Sequence, residues 1–252
     1  MIQFLARVDK NEKIGNGVFL LWFDASRISG SIKPGQFLNI KVNESFFPLL
    51  RRPFSVCDVN GQSVAIMFNV AGEGTRILSE KKEGDYIDVL GPLGNGFSLQ
   101  FPETDAVFIA GGLGAAPFPY LQKKLNNKQV TALVGGRSSG DILTYGLSNV
   151  YTATEDGSSG FKGNVIQLFD SLSSSFSGRK LRIFTCGPNG MIRALKQYIA
   201  EKSIIAEASV ESAMACGFGI CQGCPIEHAE SPDVYKLICK DGPVFNLKDI
   251  TI

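Results

Sequence analysis

Three cysteines, Cys216, Cys221 and Cys224, stand in a C-x4-C-x2-C spacing, and a fourth, Cys239, follows after a short polar insert. This is the spacing of a plant-type two-iron, two-sulfur site, where one tight loop supplies three thiolates and a remote segment the fourth. A loop that curls round a cluster needs residues without a Cβ, and Gly217, Gly219 and Gly223 are interleaved with the sulfurs. Amides freed by such a curl can point at the sulfurs and tune the potential. A zinc site more often has two separate C-x2-C pairs, and this stretch has one. Zinc and disulfides are the alternatives.

Other residue sets could bind a cofactor. Arg51-Arg52-Pro53-Phe54-Ser55 puts an arginine, a ring and a hydroxyl together, suited to a phosphate, a flat ring and a ring nitrogen. It reads equally as a strand edge with a solvated arginine. In Gly72-Glu73-Gly74-Thr75, glycines precede a helix start that could receive an anion. The plain alternative is a loop with Thr75 as N-cap. The third set is Gly111-Gly112-Leu113-Gly114-Ala115-Ala116-Pro117. It departs from the dinucleotide fingerprint, reading G-x-G-x-x-P, and the next strand ends in Gly135-Gly136-Arg137 without an acidic residue for a ribose hydroxyl. Arg137 could reach a 2′-phosphate or be solvated. Cys186, at the carboxyl end of a late strand, lies where a nicotinamide would approach a flavin. Cys57 reads as a core residue and His228 as a surface one, and no hydrolytic triad is evident.

The elements that position these sets fall into three segments. Residues 1–99 read as short strands, with candidates Gln3–Val8, Val18–Phe23, Gln36–Val42, Pro53–Val56, Ser63–Val70 and Tyr86–Leu90. Turn residues separate them and one helix, Thr75–Lys82, interrupts them, which predicts an antiparallel barrel. Residues 100–205 read as a doubly wound α/β unit. Its strands are Ala106–Ala110, Val130–Val134 and Leu181–Thr185, with helices to about Leu125 and over Gly190–Lys202. Ligands of such units bind at the strands' carboxyl ends, where the turns Gly111–Pro117 and Cys186-Gly187-Pro188 fall. Residues 206–252 form a small cysteine-bearing domain.

The chain has 252 residues, 44% hydrophobic and 19% charged, with a net charge of +1. That builds real cores, and it gives no electrostatic reason for nucleic acid or an anionic membrane as partner. No run approaches a membrane span, and the N-terminus does not read as a signal peptide. Thiols in a metal-like set suggest a reducing compartment, so a soluble cytoplasmic protein is expected.

Together these motifs resemble the ferredoxin–NADP reductase superfamily over essentially the whole chain. The stretch Met214–Cys224, then Cys239-Lys240-Asp241-Gly242-Pro243-Val244-Phe245, and also Gly91-Pro92-Leu93-Gly94-Asn95-Gly96-Phe97, look like those of electron-transfer subunits of class 1B dihydroorotate dehydrogenases. The resemblance implies that Arg52 and Ser55 contact FAD, with Pro53 and Phe54 beside them. It implies that Phe68-Asn69-Val70 lines the flavin and that Gly74 and Thr75 hold its pyrophosphate. Asn69 stands where many relatives carry arginine or another strongly polar group. Gly111, Gly112, Gly114 and Pro117 would serve NAD, and Cys216, Cys221, Cys224 and Cys239 a 2Fe-2S cluster. The family further implies a catalytic partner subunit carrying FMN, a heterotetramer of two of each, and electrons passing from dihydroorotate to NAD in pyrimidine biosynthesis. Phe218 and Ile220 are the expected docking face. The rivals are a related subunit of a sulfhydrogenase or bifurcating transhydrogenase, and a zinc-stapled nucleotide-binding protein without redox activity.

Overall fold

The computed structural model describes residues 1–126 and 128–252. Its first six strands are β1 (Ile2–Lys13), β2 (Val18–Asp24), β3 (Phe37–Lys41), β4 (Arg52–Asn60), β5 (Ser63–Asn69) and β6 (Tyr86–Leu93). They form a closed antiparallel barrel in the order β1-β2-β5-β4-β3-β6, with β6 returning to β1. Strand alternation explains the closure: Leu38 and Ile40, Phe54 and Val56, and Ile87 and Val89 enter one apolar core. A closed barrel leaves no free sheet edge.

A short helix, α1 (Glu73–Ser79), lies between β5 and β6, two residues ahead of its expected start. Its N-cap is Gly72, not Thr75. The Thr75 hydroxyl instead accepts from the amides of Ala71 at 2.9 Å and Gly72 at 3.1 Å, bracing the turn from inside the helix.

The second sheet contains β7 (Asp105–Gly111), β8 (Gln129–Gly136), β9 (Val150–Thr154), β10 (Phe161–Lys162), β11 (Leu181–Cys186) and β12 (Ile205–Ser209). These run parallel in the order β10-β9-β8-β7-β11-β12. Ala106, Phe108 and Ala110 of β7 face the core shared with α2 (Phe118–Lys124). Val107 and Ile109 face the opposite core, shared with α3 (Val165–Ser171) and α4 (Asn189–Tyr198). Both faces are covered, so β7 reads as one unbroken apolar run. The order reverses between β7 and β11, and the crevice of a doubly wound sheet opens at that switch point.

The remaining chain folds as a hairpin, β13 (Pro225–His228) and β14 (Ser231–Leu237), a single turn α5 (Ile238–Asp241), and β15 (Val244–Asn246). β15 pairs antiparallel with β12 as the last strand of the second sheet. β12 itself straddles the expected boundary at residues 205 and 206, so the cysteine-bearing segment starts from the sheet and ends on it.

Barrel and sheet are fastened to each other. Lys123 of α2 donates to both carboxylate oxygens of the buried Asp58 of β4, at 2.6 and 2.8 Å, and the Tyr145 hydroxyl donates to it at 3.2 Å. The buried Tyr120 hydroxyl donates to the Ile32 carbonyl at 3.1 Å. Among the described residues no helix is long and apolar enough to cross a membrane.

Candidate active site

A cavity of about 260 Å³ opens between the barrel and the second sheet. Its barrel wall is Arg52, Pro53, Phe54 and Ser55 of β4, Phe68 and Asn69 at the end of β5, and Thr75. Phe54 and Phe68 face each other with ring centroids 5.7 Å apart. Of the two adjacent arginines only Arg52 lines the cavity. Arg51 is held by an ion pair to Asp88 at 2.7 Å. Arg52 lies across the start of α1 and donates to the Leu50 carbonyl. Gly74 makes that possible, because a Cβ there would sit 2.6 Å from Arg52 Nε. Gly74 therefore supports the wall from behind, and the exposed Val70 lies outside the cavity. Flat rings, a hydroxyl and one guanidinium fit an aromatic ring system joined to a phosphate. The expectation for a flavin at Arg52, Phe54, Ser55 and Thr75 fits this donor set.

A second cavity, of about 550 Å³, lies at the switch point of the sheet. Gly111, Gly112 and Gly114 form one side and Gly187 and Pro188 the other, while Pro117 faces the first cavity. The glycines here replace side chains with backbone. A Cβ on Gly111 would lie 2.8 Å from the Pro188 ring, and one on Gly114 would press into the backbone of Cys186 and Gly187. Gly112 has φ +53°, a left-handed conformation that favours glycine. The missing acidic residue is supplied from outside β8. Asp141 and Glu155 both line this cavity beside Arg137. Arg137 is 84% exposed and bonds Asp141 at 3.1 Å, which holds the Asp141 carboxyl below its ordinary range. Neither lies at the end of β8, since Asp141 closes a 3-10 turn and Glu155 follows β9.

The two cavities share Leu113 and Glu211 as walls. Glu211 follows β12 and faces the water of the cleft. Desolvation by the surrounding walls raises its carboxyl above the ordinary carboxylate range. No sequence motif marked it. Cys186 is placed differently from the expectation. Its thiol is 1% exposed, lies in the core and lines neither cavity. Burial raises its pKa strongly, the Glu211 charge adds to this, and a hydrogen bond with Ser209 opposes it. The part of Cys186 next to the nucleotide-side turn is its carbonyl, against Gly114.

The thiols of Cys216, Cys221, Cys224 and Cys239 lie beyond the first cavity, while Cys57 is buried in the core as expected. Met214 lines that cavity, and Cys216 follows two residues later. The Cys221 amide donates to Cys216 Sγ at 3.4 Å, and the Cys239 amide to Cys224 Sγ at 3.4 Å. These bonds link Cys221 to Cys216 and Cys239 to Cys224, and four thiols of this kind fit the donor set of a two-iron, two-sulfur cluster. Burial works to raise the Cys216 pKa, but amides of Cys221, Phe218 and Ile220 outweigh it and hold it at about 6. Desolvation and the neighbouring Cys224 push Cys239 up to about 12. Gly217 and Gly219 have φ of +81° and +92°, so the curl inferred from the glycines is present. Phe218 packs against the core, which leaves Ile220, 75% exposed, as the apolar residue offered to solvent at the loop. His228 lies on the hairpin, accepting from the Glu230 amide.

Residues 211–251 match the family described as the iron-sulfur cluster binding domain of dihydroorotate dehydrogenase B. The electron transfer subunit of dihydroorotate dehydrogenase B (NAD(+)) from Bacillus velezensis is 37% identical over 257 residues, covering 97% of each chain. The counterpart from Desulforamulus reducens is 37% identical over 253 residues, covering 96% of this chain and 95% of that one. Among solved structures, a chain of the NADH-dependent reduced ferredoxin-NADP oxidoreductase superposes with a TM-score of 0.85 at 28% identity. It covers 98% of this chain and 90% of the other.

Proposed function

This chain belongs to the family of dihydroorotate dehydrogenase B electron transfer subunits, and on that premise we propose how its own residues serve the electron transfer. The chain is an oxidoreductase subunit of pyrimidine biosynthesis, with an FAD site, an NAD site and a 2Fe-2S site. When bound, the flavin supplies the exchange between two-electron hydride chemistry and one-electron chemistry. The observation that carries the reading is the continuity of the walls. The nucleotide cavity meets the flavin cavity through Leu113 and Glu211, and the flavin cavity meets the cysteine loop through Met214.

Each set of residues then has a task. Arg52 and Thr75 hold the phosphate end of FAD, while Ser55, Phe54 and Phe68 hold and desolvate its ring. Gly111, Gly112 and Gly114 admit the dinucleotide backbone of NAD. Asp141 and Glu155 support NAD over NADP, because two carboxylates beside one arginine that is already paired repel a 2′-phosphate. Glu211 stands at the junction of the two cavities, between the nucleotide and flavin sites. Cys216, Cys221, Cys224 and Cys239 ligate the cluster. The partner is a dihydroorotate dehydrogenase catalytic subunit. Its FMN, the assembly of two of each subunit and the cytoplasmic setting belong to this proposal. The exposed Ile220 beside the cluster loop is the part of the expected docking face that a partner could cover.

The test is the visible spectrum of anaerobically purified protein, before and after NADH. Flavin bands over a broad red-brown absorption, both bleached by NADH and far less by NADPH, support the reading. A colourless protein containing zinc overturns it. Co-expression with the catalytic subunit should give a complex that reduces NAD with dihydroorotate. Ile220→Asp should loosen that complex and leave NADH oxidation by an artificial acceptor intact.

A further inference from the structure

Strand β3 touches two of the three sites. Its outward residues alternate with Leu38 and Ile40, which fill the barrel core. Phe37, one outward residue, lines the flavin cavity. Asn39, the next, donates from Nδ2 to the carbonyl of Cys216 at 3.1 Å. Two residues along a strand span roughly 7 Å, so a wall of the flavin cavity and the anchor of the cysteine loop share one rigid element. The cysteine segment makes the same two-residue step from its own side, from Met214 to Cys216.

Asn39 is costly where it stands. It is 0% exposed, and its Oδ1 is buried without a partner. Buried polar groups are normally satisfied, and an orphan acceptor opposes folding. An aliphatic residue would suit the barrel better. What Asn39 adds is a donor aimed at the backbone of a cluster ligand. Gly217 makes room for it, because a Cβ there would press on the Asn39 amide, with Cγ at 3.2 Å. Gly217 also has φ +81°. The loop is therefore shaped to receive this side chain.

We propose that Asn39 is a positioning residue for electron transfer between flavin and cluster: it clamps Cys216 to the flavin-lining strand, and its N–H dipole favours the reduced, more negative cluster. This rests on the reading of the four cysteines as cluster ligands. The Asn39 Nδ2–H group donates to the backbone of Cys216, so removing it withdraws positive charge from beside that ligand and disfavours added negative charge there.

The experiment uses the FAD- and cluster-loaded protein with Asn39→Leu and Asn39→Asp. Three quantities are measured: iron with acid-labile sulfide, the cluster's midpoint by anaerobic redox titration, and the rate of flavin reduction by NADH. Both variants should keep NADH-to-flavin reduction. In both, the sharing of an electron between flavin and cluster should shift toward the flavin by roughly tenfold, about 59 mV for one electron. Loss of the cluster from a variant that still binds FAD also supports the clamp. An unchanged midpoint with full cluster content in both variants overturns it. Should Asn39→Leu fail to fold, the nearly isosteric Asn39→Asp decides alone. Wild-type protein without acid-labile sulfide would instead sink the cluster reading itself, so the two failures are distinguishable.

Discussion

Replacing Gly114 by alanine should damage hydride delivery more than it damages the fold. The added Cβ would stand 2.5 Å from the Cys186 carbonyl carbon and 2.7 Å from the Gly187 Cα. These are backbone atoms, so no rotamer change can relieve the overlap. Reaching ordinary van der Waals contact requires the turn after β7 and the end of β11 to part by close to 1 Å. Overpacking of this kind costs about 1–3 kcal/mol. The parts that move are the two sides of the nucleotide cavity, and Leu113 carries the shift into the flavin cavity. A misplacement of about 1 Å at a reacting centre can cost about 100-fold in rate. Gly112→Ala is the control. No atom lies within 4 Å of its added Cβ, and only its φ of +53° opposes the change, at about 1–2 kcal/mol. The assay is stopped-flow reduction of the flavin by NADH, with thermal unfolding in parallel. Flavin content should stay near normal in both variants, and the reduction rate should fall by about one to two orders of magnitude for Gly114→Ala alone. Normal reduction by Gly114→Ala, or a larger defect in Gly112→Ala, refutes it.

Three further outcomes are expected. Lys123→Met strips the buried Asp58 carboxylate of its cation and leaves it the Tyr145 hydroxyl and the Val59 amide. A fully buried broken pair costs about 3–5 kcal/mol, but Lys123 is 49% exposed, so a loss of about 2 kcal/mol is expected, seen as a Tm lower by about 4–8 °C. Glu211 has a raised pKa, so its protonated form favours the folded state and that contribution is lost as pH rises through the folded pKa. Glu211→Gln should accordingly gain stability relative to the parent as pH climbs from below 4.5, and melting curves in which the gap stays flat with pH would contradict this. Cys186→Ala should lower the Tm by a few degrees through lost core packing, with flavin reduction by NADH within about threefold of normal; a loss beyond 100-fold would restore a direct role for the thiol.

What the sequence made legible follows from how local each signal is. The cluster cysteines and their glycines lie within nine residues and one short insert, so spacing alone revealed them. The barrel strands were readable because their apolar residues alternate and turn residues separate them. β7 was readable because burial on both faces leaves no polar break within Ala106–Ala110. β9, β10 and α3 were not, since Val150–Thr154 and Phe161–Lys162 are short and carry polar residues at the sheet's edge. β15 has three residues and exists only because β12 offers an edge. Asp141 and Glu155 escaped because their meeting with the nucleotide turn is made by the crossovers. Cys186 misled because position at a strand's carboxyl end fixes the backbone but not the face on which the side chain falls.

The return of β15 to the sheet bears on inheritance. Asn95, just past the barrel, donates to the carbonyls of Lys240 and Asp241, and β15 completes the sheet beside β12. The cysteine-bearing segment is consequently woven into its neighbours and is not a bead on a string. Cutting the chain after residue 210 would bare the β12 edge and invite aggregation, and grafting the segment onto another reductase would carry over a missing strand. Exchange of such a unit between lineages requires the host sheet to come with it. For the intact protein, heating should bleach the red-brown colour and melt the second sheet in one transition.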